Sequence, residues 1–154
     1  MKKEKLLIVT FVVTALYDVL LRSILETDIW PELFTKPIKE SDWGKSLIPY
    51  FKHHTLLAAA LIAGFVGAIT QPFISCFLRT WPKKINELPT FLTITFIVSA
   101  FMGFFMKASL LFPILQKTYY KDLGQIRAAY TDGISGIIVN MTIFGLCYLR
   151  FLEL

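Results

Sequence analysis

The chain has 154 residues, 55% of them hydrophobic and 18% charged, with a formal net charge of +5. That composition is too apolar for an ordinary soluble domain and fits a membrane protein. Its 16 Lys and Arg residues are scattered through loops and ends instead of forming one stripe, which argues against nucleic-acid binding and for the flanks of membrane segments.

In chain order, apolar stretches predict four membrane helices, at about 6–25, 55–78, 90–115 and 131–149, each near the roughly 20 residues that a crossing needs. The class expected is therefore all-α: a polytopic bundle of four transmembrane helices in a single domain. The basic head Lys2-Lys3-Glu4-Lys5 before an apolar run resembles a secretory signal. No small-x-small cleavage site follows, and the apolar pattern runs on through Ile24, so a retained first span is expected.

The first loop, 26–54, holds Trp30, Pro31, Pro37, Trp43 and Pro49. Within it Ser41 suits a helix cap, and Trp43, Leu47, Tyr50 or Phe51, and His54 recur at helical spacing. The expectation is one short helix lying in the membrane interface, its rings at headgroup level. His53-His54 has no companion ligand at metal spacing, so it reads as an interfacial anchor. In the second span Pro72 predicts a kink, and Phe112-Pro113 marks the end of the third.

The second loop is short and basic, with Arg79, Trp81, Lys83 and Lys84, and the third carries Tyr119, Tyr120, Lys121, Asp122 and Arg127. Four crossings put both termini and the second loop on one side, and the density of cations there predicts a cytoplasmic face. Cys76 and Cys147 each precede an arginine by three residues. They read as small packing residues, with juxtamembrane lipid attachment as the alternative.

Ionisable residues within apolar segments carry the functional signal, because a lone charge at mid-bilayer costs about 3 kcal/mol or more. Asp18, Lys107 and Asp132 fall in the same half of the expected bilayer, with Arg22 one turn from Asp18. The expectation is a buried polar cluster with Asp18 paired to Lys107, serving either to fix helix register or to relay ions or protons. Gln71 and Asn140 suit an interhelical hydrogen bond. Gly64, Gly67, Gly103, Gly133 and Gly136 suit close helix packing, within one chain or between copies in a homo-oligomer. The sequon at Asn140 lies inside a span, out of reach of glycosylation. No nucleophile elbow, phosphate loop, zinc signature or potassium filter appears, so enzymatic activity is unsupported rather than excluded, and no cofactor or metal is expected.

The stretches Thr14-Ala-Leu-Tyr-Asp-Val-Leu-Leu-Arg22, Ala59-Ala-Leu-Ile-Ala-Gly-Phe-Val-Gly67 and Thr131-Asp-Gly-Ile-Ser-Gly-Ile-Ile-Val139 resemble small four-span membrane proteins of giant, nucleocytoplasmic large DNA viruses. That resemblance implies a place in a virion's internal membrane or a host membrane, with lipid and other membrane or capsid proteins as partners. It implies no mechanism. More distantly, the aspartates of the first and fourth spans resemble a bacterial family of small membrane proteins, from which this chain departs at Gly133-Ile134-Ser135-Gly136, where that family carries an aromatic residue. Three functions follow as expectations: a structural or interaction protein of a membrane, a small ion or proton channel or transporter, and a lipid-modifying or lipid-binding protein with its site at the same polar cluster.

Overall fold

The computed structural model describes residues 3–53, 55–78, 80–108 and 124–153. On its first helix, α1 (Lys3–Glu26), polarity is reversed relative to a soluble protein. Thr10, Thr14 and Asp18 are buried, whereas Ile8, Val12, Leu16 and Leu20, four apart, face outward. An apolar outer face around a polar inner one is the pattern that lipid, not water, stabilises. The same reversal marks α4 (Leu56–Phe77) and α5 (Leu88–Ala108), which bury Thr70, Gln71, Thr95 and Ser99 while exposing Leu57, Leu61, Phe65, Phe101 and Phe105.

Among the described residues every regular element is helical, and three helices are long and apolar enough to cross a membrane: α1, α4, and α5 with the turn before it. The chain is thus a multi-pass membrane protein by length and composition. The last helix, α6 (Gln125–Tyr148), has 24 residues but is not among those three. It starts six residues before the expected 131, and Gln125, Arg127, Asp132 and Asn140 dilute its apolar character.

The long helices pack chiefly as α1 against α4 and α5 against α6, with α1 also on α6 and α4 on α5. Glycines set the closeness. A Cβ at Gly64 would meet Phe11 of α1, and one at Gly67 would meet Thr14. On the other pair, Gly103 lies against Asp132, Gly133 against the Phe96 ring, and Gly136 against Ser99. All five glycines expected at helix contacts face a side chain of another helix. α4 runs as one helix through Pro72, whose missing N–H leaves the Ala68 carbonyl without its usual donor.

The first loop differs from expectation. It forms two helices, α2 (Glu32–Glu40) and α3 (Asp42–His53). Ser41 caps α3, its Oγ accepting from the Gly44 N–H at 3.0 Å. The apolar stripe of α3 is turned to the bundle: Leu47 and Phe51 are buried against Leu21, Leu25 and Ala59. Burying Phe51 completely, at 0% exposure, recovers about 2 kcal/mol or more that headgroup-level exposure would forgo. The exposed apolar surface belongs instead to α2 and its approach, where Ile29 and Leu33 are 83% and 92% accessible. Trp30 ties that segment to the last turns of α1 by donating from Nε1 to Ser23 Oγ at 3.1 Å.

At the opposite end Leu6, Val139 and Ile143 form a cluster joined by Trp81, Cys147 and Leu152. Lys5 Nζ donates to the Glu153 carbonyl, so the start of α1 and the segment after α6 share one end of the molecule. Cys76 and Cys147 are both free thiols. Lys2, His54, Arg79, the Phe112-Pro113 step, and Tyr119, Tyr120, Lys121 and Asp122 lie outside the described residues.

Candidate functional site

Between α1, α4 and α6, with a contribution from α5, lies a cavity of about 50 Å³, counted as the space that water centres reach. A water needs roughly 10–15 Å³ on that measure. The space therefore suits a few waters or a small ion and excludes an acyl chain or a peptide. Its walls are unusual for a helix interior, because two aspartates, Asp18 and Asp132, line it together with Gln71 and Asn140.

The helices bring these groups to one level for simple reasons. α1 and α6 run in opposite directions, and Tyr17 of α1 approaches Ser135 of α6 without completing a hydrogen bond. Asp18 lies one residue onward on α1, and Asp132 three residues back on α6, so both step toward the same end. Below them Gln71 Nε2 donates to Asn140 Oδ1 at 3.1 Å, linking α4 to α6. Asn140 Nδ2 in turn donates to the Gly136 carbonyl at 3.0 Å, which fixes the amide's orientation. The interhelical bond that the sequence suggested for Gln71 and Asn140 is thus present, with each residue serving the other.

Asp18 is 6% exposed, and its Oδ2 has no hydrogen-bond partner. The charge that acts on it is Arg22, one turn along the same helix. Arg22 is itself drawn outward: its Nε lies 2.9 Å from Glu26 Oε2, and its guanidinium sits 6.0 Å from the Phe51 ring centre. The expected pairing of Asp18 with Lys107 is replaced by this arrangement. Lys107 is not among the cavity-lining residues; it stands one turn beyond Gly103, the glycine that packs on Asp132. Helix α5 explains the difference, since its principal partner is α6 and Ser99 is its one residue lining the cavity among those described.

Sequence reasoning missed the hydroxyls. Thr10, Thr14 and Thr70 line the cavity, and so do Ser99 and Thr131, whose oxygens are buried without a partner. The signal was present in the spacing: Thr10, Thr14 and Asp18 recur every four residues and share one helix face. Among the described residues no group of three His, Cys, Asp or Glu side chains is placed to hold a metal ion.

The chain matches no protein-family model, and neither curated proteins nor solved structures show significant similarity to it. Function must therefore be argued from the cavity itself.

Proposed function

We propose that the protein crosses its membrane four times, through α1, α4, α5 and α6, and passes small positive charges, protons or monovalent cations, through the cavity at Asp18. The fourth crossing has two supports. At about 1.5 Å per residue the 24 residues of α6 match a bilayer's hydrocarbon thickness. The Lys5 to Glu153 contact puts the start of α1 and the segment after α6 at one end of the molecule, which favours an even number of crossings. Lys3, Lys5, Lys83, Lys84 and Arg150 then share a face, and the excess of cations near short segments favours the cytoplasmic side for it.

The observation that carries the function is the Asp18 carboxylate, buried with one oxygen unpartnered on the wall of an intramembrane space. A desolvated carboxylate is costly unless positive charge accompanies it, and Arg22 is shared with Glu26. A bundle built only to hold shape gains nothing from such a group. In liposomes carrying an imposed pH or cation gradient, the purified protein should give flux that Asp18→Asn abolishes while helical content is retained. Absent flux in the intact protein, or equal flux in the variant, would refute the proposal.

A second reading, a structural or interaction component, is favoured by the five glycine contacts, which hold the long helices together without any ligand. On that reading the resemblance to giant-virus proteins suggests a virion's internal membrane, with lipid and capsid or other membrane proteins as partners. Recovery of the chain with purified virion membranes would test the location.

A further inference from the structure

We infer that the cavity is a binding site for a bare monovalent metal cation of the sodium or potassium kind, held by the Asp18 carboxylate and by hydroxyl lone pairs; this rests on the reading of the cavity just given. The argument turns on where the hydroxyl protons go. A hydroxyl has one proton to donate and two lone pairs. Thr10 Oγ1 donates to the Leu6 carbonyl at 2.7 Å, Thr14 Oγ1 to the Thr10 carbonyl at 2.7 Å, and Thr70 Oγ1 to the Val66 carbonyl at 2.8 Å. Each has its proton engaged by its own helix, so only lone pairs remain for the cavity. The amides each commit one of their two N–H groups, Gln71 Nε2 to Asn140 Oδ1 and Asn140 Nδ2 to the Gly136 carbonyl.

Facing these fixed acceptors are Ser99 and Thr131, whose oxygens have no partner in the protein and are 3% and 2% exposed as residues. Their hydroxyls are free to rotate and turn lone pairs inward. An anion entering this space would meet the Asp18 carboxylate and the lone pairs of three committed hydroxyls, whereas a cation would find ligands in them. All the ligand atoms are hard oxygens, which suit alkali and alkaline-earth ions and not zinc or copper. A site with one unpartnered carboxylate, Asp18, and neutral hydroxyls balances a single positive charge better than two.

The charged and titratable groups around Asp18 are consistent with this. Its own helix supplies Tyr17 and Arg22, the latter bound to Glu26. Across the cavity α6 supplies Asp132, which packs on Gly103. Among the described residues the α4 and α3 lining contributes no charge, only Ala63, Val66, Gly67, Thr70, Gln71, Ile74 and Leu47, and α5 contributes Ser99. A proton on Asp18 and a metal cation beside it occupy the same charge balance, so each displaces the other.

The test uses the full chain in nanodiscs of uncharged lipid, with its melting midpoint followed by tryptophan fluorescence in sodium, potassium or choline chloride at equal ionic strength. Binding to the folded state alone raises the midpoint by mass action, here by about 3 °C when the ion is well above its dissociation constant. The expected result is a rise in sodium or potassium over choline, absent in Asp18→Asn and needing about tenfold more salt in Thr70→Val, which removes one lone-pair ligand at constant shape. Equal midpoints in all three salts, or a shift retained in Asp18→Asn, would overturn the inference. Should Asp18→Asn fail to fold, Thr70→Val decides, an unchanged salt requirement counting against the site. Proton flux in liposomes without any metal-cation shift would overturn this inference and leave the proposed path standing, while a cation shift without flux would sustain the site and overturn the translocation.

Discussion

Gln71 and Asn140 join α4 to α6 by one side-chain hydrogen bond of 3.1 Å, buried to 1% and 2% exposure and directly on the cavity wall. Because the Asn140 amide nitrogen also holds the Gly136 carbonyl, the bond fixes both the register of two helices and the direction in which the amides point. Such a bond between membrane helices is worth about 1 kcal/mol. Removing one partner strands the other, so Gln71→Leu and Asn140→Leu should each lower stability by about 1–2 kcal/mol. The double substitution should cost little more than either alone, as a double-mutant cycle of thermal or steric-trap unfolding would show. Additive losses would mean that the two amides act independently.

Glycine contacts make a sharper mechanical claim. A Cβ at Gly103 would stand 2.5 Å from Asp132 Oδ2 and 2.7 Å from the Ala128 carbonyl, and the latter is helix backbone that cannot rotate away. Gly103→Ala should therefore push α5 from α6 and destabilise by about 1–3 kcal/mol. Gly133→Ala meets the Phe96 ring at 2.7 Å and should behave similarly if the ring cannot turn. Gly145 is the control, with nothing within 4 Å of a new Cβ. Gly145→Ala should be neutral or stabilising by about 0.5–1 kcal/mol through helix propensity. Equal effects at 103 and 145 would show that α5 and α6 do not meet as described.

Asp18 and Lys107 provide the corresponding negative prediction. With Arg22 as the charge acting on Asp18, and Lys107 off the cavity lining, Asp18→Asn and Lys107→Met should not compensate each other. Their combined effect on stability should equal the sum of the single effects within about 0.5 kcal/mol. Rescue of one by the other would restore the direct ion pair.

Unlike the less apolar α6, the helices α1, α4 and α5 were legible in the sequence as candidate spans, because apolar length is a one-dimensional property. So were the glycine contacts and the Gln71 to Asn140 bond, since small and amide residues in a greasy helix have few other uses. The partner of Asp18 was not legible. Depth along the membrane can be counted from residue numbers, but rotation about a helix axis cannot, and among the described residues α5 gives the cavity wall Ser99 and not Lys107. The first loop failed for a related reason: the stripe through Leu47 and Phe51 was read correctly as apolar, but periodicity does not say whether lipid or protein covers it. The wall of threonines was overlooked because threonine within an apolar run looks like filler until its Oγ is seen to face a space.

Arg150 gives the last test, and its logic is local. It is the one non-glycine residue with positive φ among those described, at 62°, just past the end of α6. The helix closes there with two reversed bonds, Arg150 N to the Cys147 carbonyl at 3.1 Å and Phe151 N to the Leu146 carbonyl at 2.9 Å. That pattern requires a left-handed residue at the first position outside the helix, where glycine is ordinarily found. An arginine held there carries a steric cost of about 1–2 kcal/mol that glycine lacks. Arg150→Gly should raise stability by about 1 kcal/mol, partly offset by the greater freedom of glycine in the unfolded chain. The same substitution removes one cation from the face that also holds Lys3, Lys5, Lys83 and Lys84, so orientation in the membrane should be scored alongside stability by protease accessibility of the ends. Higher stability with unchanged orientation is the expected result, because Lys3, Lys5, Lys83 and Lys84 remain on that side. Lower stability would mean that Arg150 makes a contact worth more than the strain it carries.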